Sequence, residues 1–318
     1  MTSVLSCWIG GTKSKSVRPN VFDKLLGELD AVARQAVDLA NMPNGTGPLR
    51  LSKGRIRQLL DCERHMIAML DAPDEPPRVE LVLGVLLDAL VRHHVTTGRL
   101  DNPPLELAMA LLRARSDPTA QRVLTWIDDL DTVTRSALGA DLAEDREKLL
   151  SEWPTLDAGW WPRVQDRASL SLADGEVLIE GSVDIALGGP PTDRRSVLIE
   201  TKRRALRQED MEDAMLYALI VALRDRVAPD CAVTCCAQTS ALDEIWIGED
   251  ELRSATIRLS DVLLIAGELA GDRPPREVRN PRCGWCPAAE VCPTFSAEES
   301  GRAPDIADFD RMQDDEPF

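Results

Sequence analysis

Two short apolar runs, Val177-Leu178-Ile179 and Val197-Leu198-Ile199, stand on either side of Gly188-Gly189-Pro190-Pro191-Thr192-Asp193. Glycine and proline in that density mark a turn, so the stretch predicts two neighbouring strands joined by a loop. The first run leads into Gly181-Ser182-Val183-Asp184, the second into Glu200-Thr201-Lys202. Residues two apart on a strand share a face, which puts Glu200 and Lys202 together. Pairing of the strands would carry Asp184 beside them. Two carboxylates and a lysine at a sheet edge suit a hard divalent cation and the activation of a water. The same letters also fit a surface aspartate and an ordinary Glu–Lys pair, so the rest of the chain decides between them.

The chain changes character at Trp153. Before it, apolar residues recur at helical spacing. Helices are expected over 21–41, from the capping Ser52 to Leu70, over 79–95, 105–115 and 118–150. Met42–Pro48 reads as a linker. After Trp153, β-rich runs at 168–172, 176–186, 196–202, 231–237 and 244–248 are interrupted by one helix over 206–226. Three strands, a helix and two strands predict a mixed sheet with a crossover helix. A last helix, 259–270, precedes a cysteine cluster. The chain therefore divides into an N-terminal extension with one helix (1–48), a helical region (49–150), a core with the cysteine cluster (151–298) and an acidic tail (299–318) expected to be disordered.

The formal charge of −17 argues against nucleic-acid binding driven by the field of the whole protein. Residues 303–318 alone hold six acids against one arginine. No basic start followed by an apolar stretch and no membrane-length apolar run is present, which predicts a cytoplasmic protein with no membrane partner. In that compartment eight cysteines argue for ligation of a metal or cluster rather than for structural disulfides. Gly10-Gly11-Thr12-Lys13-Ser14 lacks the spacing of a phosphate-binding P-loop.

The chemistry these patterns suit is phosphodiester hydrolysis. Asp184 and Glu200 would hold Mg²⁺ or Mn²⁺, with the main-chain carbonyl of Thr201 as a further oxygen. Lys202 would orient the water or stabilise charge on the phosphate. In the following helix Asp213 and Tyr217, the chain's one tyrosine, share a face, and Met211, Met215, Ala218 and Ala222 form an opposite apolar stripe. Tyr217 could hydrogen-bond the metal ligands or a phosphate, or be a half-buried helix residue. Cys283, Cys286 and Cys292 have CxxC-x5-C spacing and lack a fourth ligand, for which Cys62 is the candidate. Spacing leaves zinc and [4Fe–4S] both open. Cys231, Cys235 and Cys236 read as core, and Cys7 lies near the start of the chain. Arg194, Arg195, Lys202, Arg203, Arg204 and Arg207 form a candidate phosphate track. Trp153, Trp160 and Trp161 could stack on unpaired bases or pack on the core.

Taken together these motifs resemble the PD-(D/E)XK nuclease superfamily, and within it the RecB-type exonucleases that carry an iron–sulfur staple, such as the CRISPR-adaptation nucleases and the AddB-type nuclease domain. The stretch Leu51–Cys62 resembles the family's opening segment, Gly181–Asp184 and Glu200–Lys202 its catalytic strands, 213–217 its QxxxY helix, and the three late cysteines the rest of its cluster. The resemblance implies a restriction-endonuclease-like α/β fold, a mixed central sheet flanked by helices with a helical N-terminal region. It implies Asp184, Glu200, Lys202, Asp213 and Tyr217 as catalytic residues and Asp88, Asp184, Glu200 and Thr201 around Mg²⁺ or Mn²⁺. It implies Cys62, Cys283, Cys286 and Cys292 around a structural [4Fe–4S] cluster, with zinc as the alternative, and Arg203, Arg204 and Arg207 on DNA. The implied activity is that of a DNA exonuclease on single-stranded ends in repair, recombination or defence, with a helicase partner supplying any unwinding. The other reading is a degenerate module that binds DNA or a helicase without cutting. Three departures from the family pattern stand out: Asp88 replaces a histidine, Asp213 the glutamine, and Glu63 the proline after the first cysteine. His93 and His94 could take the place of Asp88, or simply end the helix.

Overall fold

The computed structural model describes residues 17–41, 47–70, 72, 77–99, 101–115, 117–151, 153, 156, 158–190, 192 and 194–295. Cys7, the Gly10–Ser14 stretch and the acidic tail lie outside them, as do parts of the Met42–Pro48 linker and of the turn after Gly189. The elements are, in order, α1 (Pro19–Ala40), β1 (Leu49–Ser52), α2 (Lys53–Asp61), α3 (Glu63–Leu70), α4 (Val79–Thr97), α5 (Pro104–Arg113), α6 (Pro118–Asp128), α7 (Thr132–Ser151), β2 (Arg163–Leu172), β3 (Val177–Leu187), β4 (Val197–Lys202), α8 (Gln208–Asp225), β5 (Cys231–Cys236), β6 (Leu242–Trp246) and α9 (Glu249–Ala270). Among the described residues no helix is long and apolar enough to cross a membrane.

The sheet runs β1-β3-β4-β5-β6, with β2 paired to β3. β3 and β4 are antiparallel, with Ile185 opposite Ile199. β4 and β5 are parallel, Ile199 opposite Val233, and α8 is the crossover between them. β5 and β6 are antiparallel. This is the mixed sheet expected from the strand and helix order. The β3–β4 connection turns through Gly188 and Gly189 at φ 62° and 73°. A side chain at Gly188 would stand 1.9 Å from the carbonyl oxygen of Arg195, so only glycine closes this turn.

Three expectations are corrected. The helix expected from Ser52 to Leu70 is two helices. Ser52 does cap the first, accepting from the Arg55 N–H at 3.3 Å, but Cys62 is extended at φ −169° and breaks the run. The helix expected over 118–150 is also two. Asp131 accepts from the N–H groups of Val133 and Thr134 at 2.8 and 2.9 Å and starts α7 afresh. The last helix begins at Glu249, ten residues before the expected 259, because Glu249, Asp250 and Glu251 suit a helix N-terminus.

The chain forms two compact units, each assembled from separate stretches. The described residues of 1–28, 75–170 and 179–258 make one, and those of 29–74, 171–178 and 259–318 the other. In the first, Leu83, Leu86 and Leu90 of α4 and Met109 and Leu112 of α5 share a core with Ile185, Ile199 and Val233 of the sheet. In the second, Leu29, Ala33 and Ala36 of α1, Ile56 and Leu59 of α2 and Val262 and Leu263 of α9 are buried. The Leu49 N–H there donates to the carbonyl of Glu176 at 2.8 Å.

Candidate functional site

Asp184, inside β3, interlocks with the charged C-terminal end of β4. The Asp184 N–H lies 3.4 Å from Glu200 Oε1, and Asp184 Oδ2 accepts from the Thr201 N–H at 2.9 Å and the Thr201 hydroxyl at 3.2 Å. Lys202 Nζ is 3.2 Å from Glu200 Oε2. Glu200 is only 2% exposed, so its charge depends on that ammonium and on nearby N–H groups. The alternation that places Glu200 and Lys202 on one face is that of any strand. What brings Asp184 to them is the antiparallel register.

Asp88, half-buried on α4, bonds Arg92 Nε at 2.7 Å, and Arg115 Nη1 stands 3.8 Å away. Burial first, then the charge of Asp184, push the Asp88 carboxyl up to about 7, against the pull of Arg92 and Arg115. Asp88 thus belongs to the same electrostatic group as Asp184. Sequence reasoning missed both arginines, although Arg92, four residues beyond Asp88, is a helix pairing that could have been read. His93 and His94 lie at the end of α4, 3.5 Å from Asp101 Oδ2 and 3.4 Å from the Arg99 carbonyl.

A carboxyl whose folded pKa is raised binds more protons when folded than when unfolded. Its stability contribution therefore falls as pH rises from about 4 to about 7. Metal-free Asp88→Asn should lack this slope and gain on the wild type over that range, by on the order of 2 kcal/mol at pH 8. Urea melts of both proteins at pH 5 and pH 8 check this. An equal stability gap at the two pH values would contradict it.

On α8, Asp213 and Tyr217 are both buried, at 6% and 3% exposure. Of the apolar stripe expected opposite them, Ala218 and Ala222 are fully buried and Met211 and Met215 half-buried, so α8 is covered on both sides. A side chain at Gly181 would fall 2.6 Å from Tyr217 Cε1, so the glycine of the Gly181–Asp184 motif gives the Tyr217 ring its place against β3. Gln165 of β2, which nothing in the sequence singled out, reaches Asp184 Oδ1 through Nε2 at 3.3 Å.

The basic track divides. Arg203 Nε bonds Asp145 at 2.6 Å. Arg204 holds the fully buried Asp210 through two bonds of 2.7 and 2.9 Å. Arg207, at the cap of α8, is exposed. Arg194 lies over Trp160 and Arg195 over Trp246, at 5.3 and 5.2 Å. Trp160 is buried, whereas Trp161 is 47% exposed with Arg163 over its ring at 5.9 Å.

In the second unit, Cys62, Cys283, Cys286 and Cys292 line one pocket with His65, Asn280 and Arg282. All four are free thiols. The Asn280 N–H stands 3.4 Å from Cys283 Sγ, and Cys62 Sγ is 3.9 Å from the Arg276 carbonyl. Glu63 accepts from the Arg276 N–H at 2.7 Å and from the guanidinium groups of Arg276 and Arg273 at 3.0 Å each. Burial alone would raise its carboxyl, but these bonds hold it below the usual range. Asn280 Nδ2 donates to the Asp61 carbonyl at 3.2 Å, and Arg282 pairs with Asp61 at 2.9 Å. Side chains on both flanks of Cys62 thus bind the segment carrying the other three cysteines. Cys231, Cys235 and Cys236 are buried in β5, where burial raises the thiols of Cys231 and Cys235. Among the described residues no three His, Cys, Asp or Glu side chains are already gathered as metal ligands. Asp88 is turned onto Arg92, and Glu200 onto Lys202.

A mixed sheet flanked by helices, with a carboxylate–lysine group across two adjacent strands, is a restriction-endonuclease-like α/β architecture. The profile of the PD-(D/E)XK nuclease superfamily matches residues 50–293, and the chain belongs to that superfamily. No curated protein matches it in sequence. Among solved structures it is similar to the crystal structure of SSO0001, at 14% identity over 77% of this chain and 97% of that one, with a TM-score of 0.31.

Proposed function

We propose that the chain is a Mg²⁺- or Mn²⁺-dependent deoxyribonuclease acting as an exonuclease on single-stranded DNA ends. The observation that carries this is the interlocked Asp184, Glu200 and Lys202, beside an Asp88 carboxyl raised by burial and then by the Asp184 charge. The donors fit a hard cation: they are oxygens, and their mutual repulsion is what a divalent charge relieves. Asp88, Asp184 and Glu200, with the Thr201 carbonyl, would hold it. The ion supplies Lewis acidity toward the phosphate and a lowered pKa for water. Lys202 orients the nucleophile and balances charge on the phosphate. Tyr217 and Asp213 support the strand ends from α8. Arg207 offers an exposed charge to the backbone, and Arg203 and Arg204 shape the segment that presents it.

The pocket lined by four free thiols supports a structural [4Fe–4S] cluster held by Cys62, Cys283, Cys286 and Cys292, with zinc as the alternative occupant. Anaerobically purified protein should carry about four irons per chain and absorb in the visible. Cys286→Ser should lose most of both. Zinc in place of iron would reverse the assignment, and neither metal would end it.

The second reading, a module that holds DNA or a helicase partner without cutting, draws on the Asp88–Arg92 bond, which already neutralises one carboxylate. End-labelled single- and double-stranded DNA incubated with the protein and Mn²⁺ separates the two. Progressive shortening of single strands supports the exonuclease. Retention without shortening supports the module. A role for the protein in repair, recombination or defence belongs to the first reading.

A further inference from the structure

Gln165 stands near the start of β2 with φ 51°, a left-handed backbone inside a strand. For a residue with a Cβ this is a strained conformation. Its amide bridges two residues of β3: Oε1 accepts from the Ser182 hydroxyl at 2.9 Å, and Nε2 donates to Asp184 Oδ1 at 3.3 Å. The direction of the amide follows from chemistry. An ionised carboxylate only accepts, so the NH₂ must face Asp184, and the Ser182 hydroxyl is left to donate to Oε1. The other oxygen of Asp184 is taken by the Thr201 N–H and hydroxyl. Thr201 therefore anchors the carboxylate, and Gln165 fixes the rotation that aims Oδ1.

We propose that Gln165 is a positioning residue that orients Asp184 toward the divalent cation and sets the affinity for it. The inference rests on the reading of Asp184 as a metal ligand. The geometry separates this role from a contribution to folding. With Gln165 removed, Asp184 keeps both bonds from Thr201, so the strand pairing stands. What is lost is the aim of one oxygen. The strained backbone is the cost of that aim, and glycine would relieve it.

The test is a Mn²⁺ titration of metal-free protein, read by electron paramagnetic resonance of the free ion, beside thermal melts in chelator. Gln165→Gly should melt at the wild-type temperature or above it, bind Mn²⁺ about tenfold more weakly, and recover cleavage when Mn²⁺ is raised in proportion. Ser182→Ala, which releases the far end of the amide, should weaken binding about threefold. Asp184→Asn should remove the site. Unchanged Mn²⁺ binding in Gln165→Gly overturns the proposal. So does a lowered melting temperature with activity that excess Mn²⁺ does not restore, which would mark a folding role. Wild-type Mn²⁺ binding by Asp184→Asn would instead show that Asp184 is no ligand, and both the reading and the inference would fall.

Discussion

Lys202→Ala should cut DNA cleavage by about 100-fold or more while leaving Mn²⁺ binding at least as tight as in the wild type. Lys202 Nζ lies 3.2 Å from Glu200 Oε2, and Glu200 is 2% exposed. Removing the ammonium frees a buried carboxylate that then looks for another cation, so the metal gains what the lysine gave up. Metal-free Lys202→Ala should lose stability for the same reason, because the buried Glu200 carboxylate loses the ammonium paired with it. Mn²⁺ should restore it. Asp184→Asn gives the opposite pattern. The amide oxygen can still accept from the Thr201 N–H and hydroxyl, so the fold stands, but a neutral ligand forfeits the cation and cleavage together. Cleavage assays paired with Mn²⁺ titrations distinguish the two. Joint loss of cleavage and binding in Lys202→Ala would remove the lysine from the reaction and make it a structural counter-ion.

Glu63→Ala should destabilise the cysteine-bearing unit by about 3 kcal/mol at pH 7. Glu63 is 1% exposed, and it receives three charge-assisted bonds from Arg273 and Arg276. Its removal leaves the Arg276 N–H without its acceptor and turns the Arg276 guanidinium to solvent, while Arg273 keeps Glu268 at 2.8 Å. The same bonds dock the Arg276 segment beside Cys62, whose thiol lies near the Arg276 carbonyl. The effect should carry a pH signature. A carboxyl held below its ordinary value contributes stability above the unfolded pKa and loses it as pH falls through the folded one. The gap between wild type and Glu63→Ala should therefore be full at pH 7 and shrink below about pH 4. Chemical melts at pH 7 and pH 3.5 measure it. A gap that did not narrow would mean that packing, not charge, holds the segment.

The departures from the family pattern acquire physical meaning in this setting. Glu63 is a buried hub for two arginines from some two hundred residues away in the chain, as its bonds to Arg273 and Arg276 show. A proline there would supply none of those bonds. Asp88 brings negative charge to the Asp184 group and its own compensation in Arg92.

The order of elements was legible because it rests on local rules. Alternation over 177–202 and the Gly188-Gly189 turn specify a hairpin, and one helix between two β-rich runs specifies a parallel crossover. The breaks at Cys62 and Asp131 were missed for a local reason too. Asp131-Thr132-Val133-Thr134 carries a capping signal, but uninterrupted helix-forming residues on both sides masked it.

By itself the sequence determined two neighbouring strands joined by a turn, with Glu200 and Lys202 on one face; the antiparallel register, Ile185 opposite Ile199, is what set Asp184 beside them. It also pointed from the three late cysteines to Cys62, and all four line one pocket. Only the tertiary structure decided which charges are already answered: Arg203 by Asp145, Arg204 by Asp210, Asp88 by Arg92. Only it revealed Gln165, because a left-handed glutamine in a strand is imposed by its partners and has no local signature. Ion pairs and strained side chains depend on where separate segments meet in space, and spacing along one chain does not encode that.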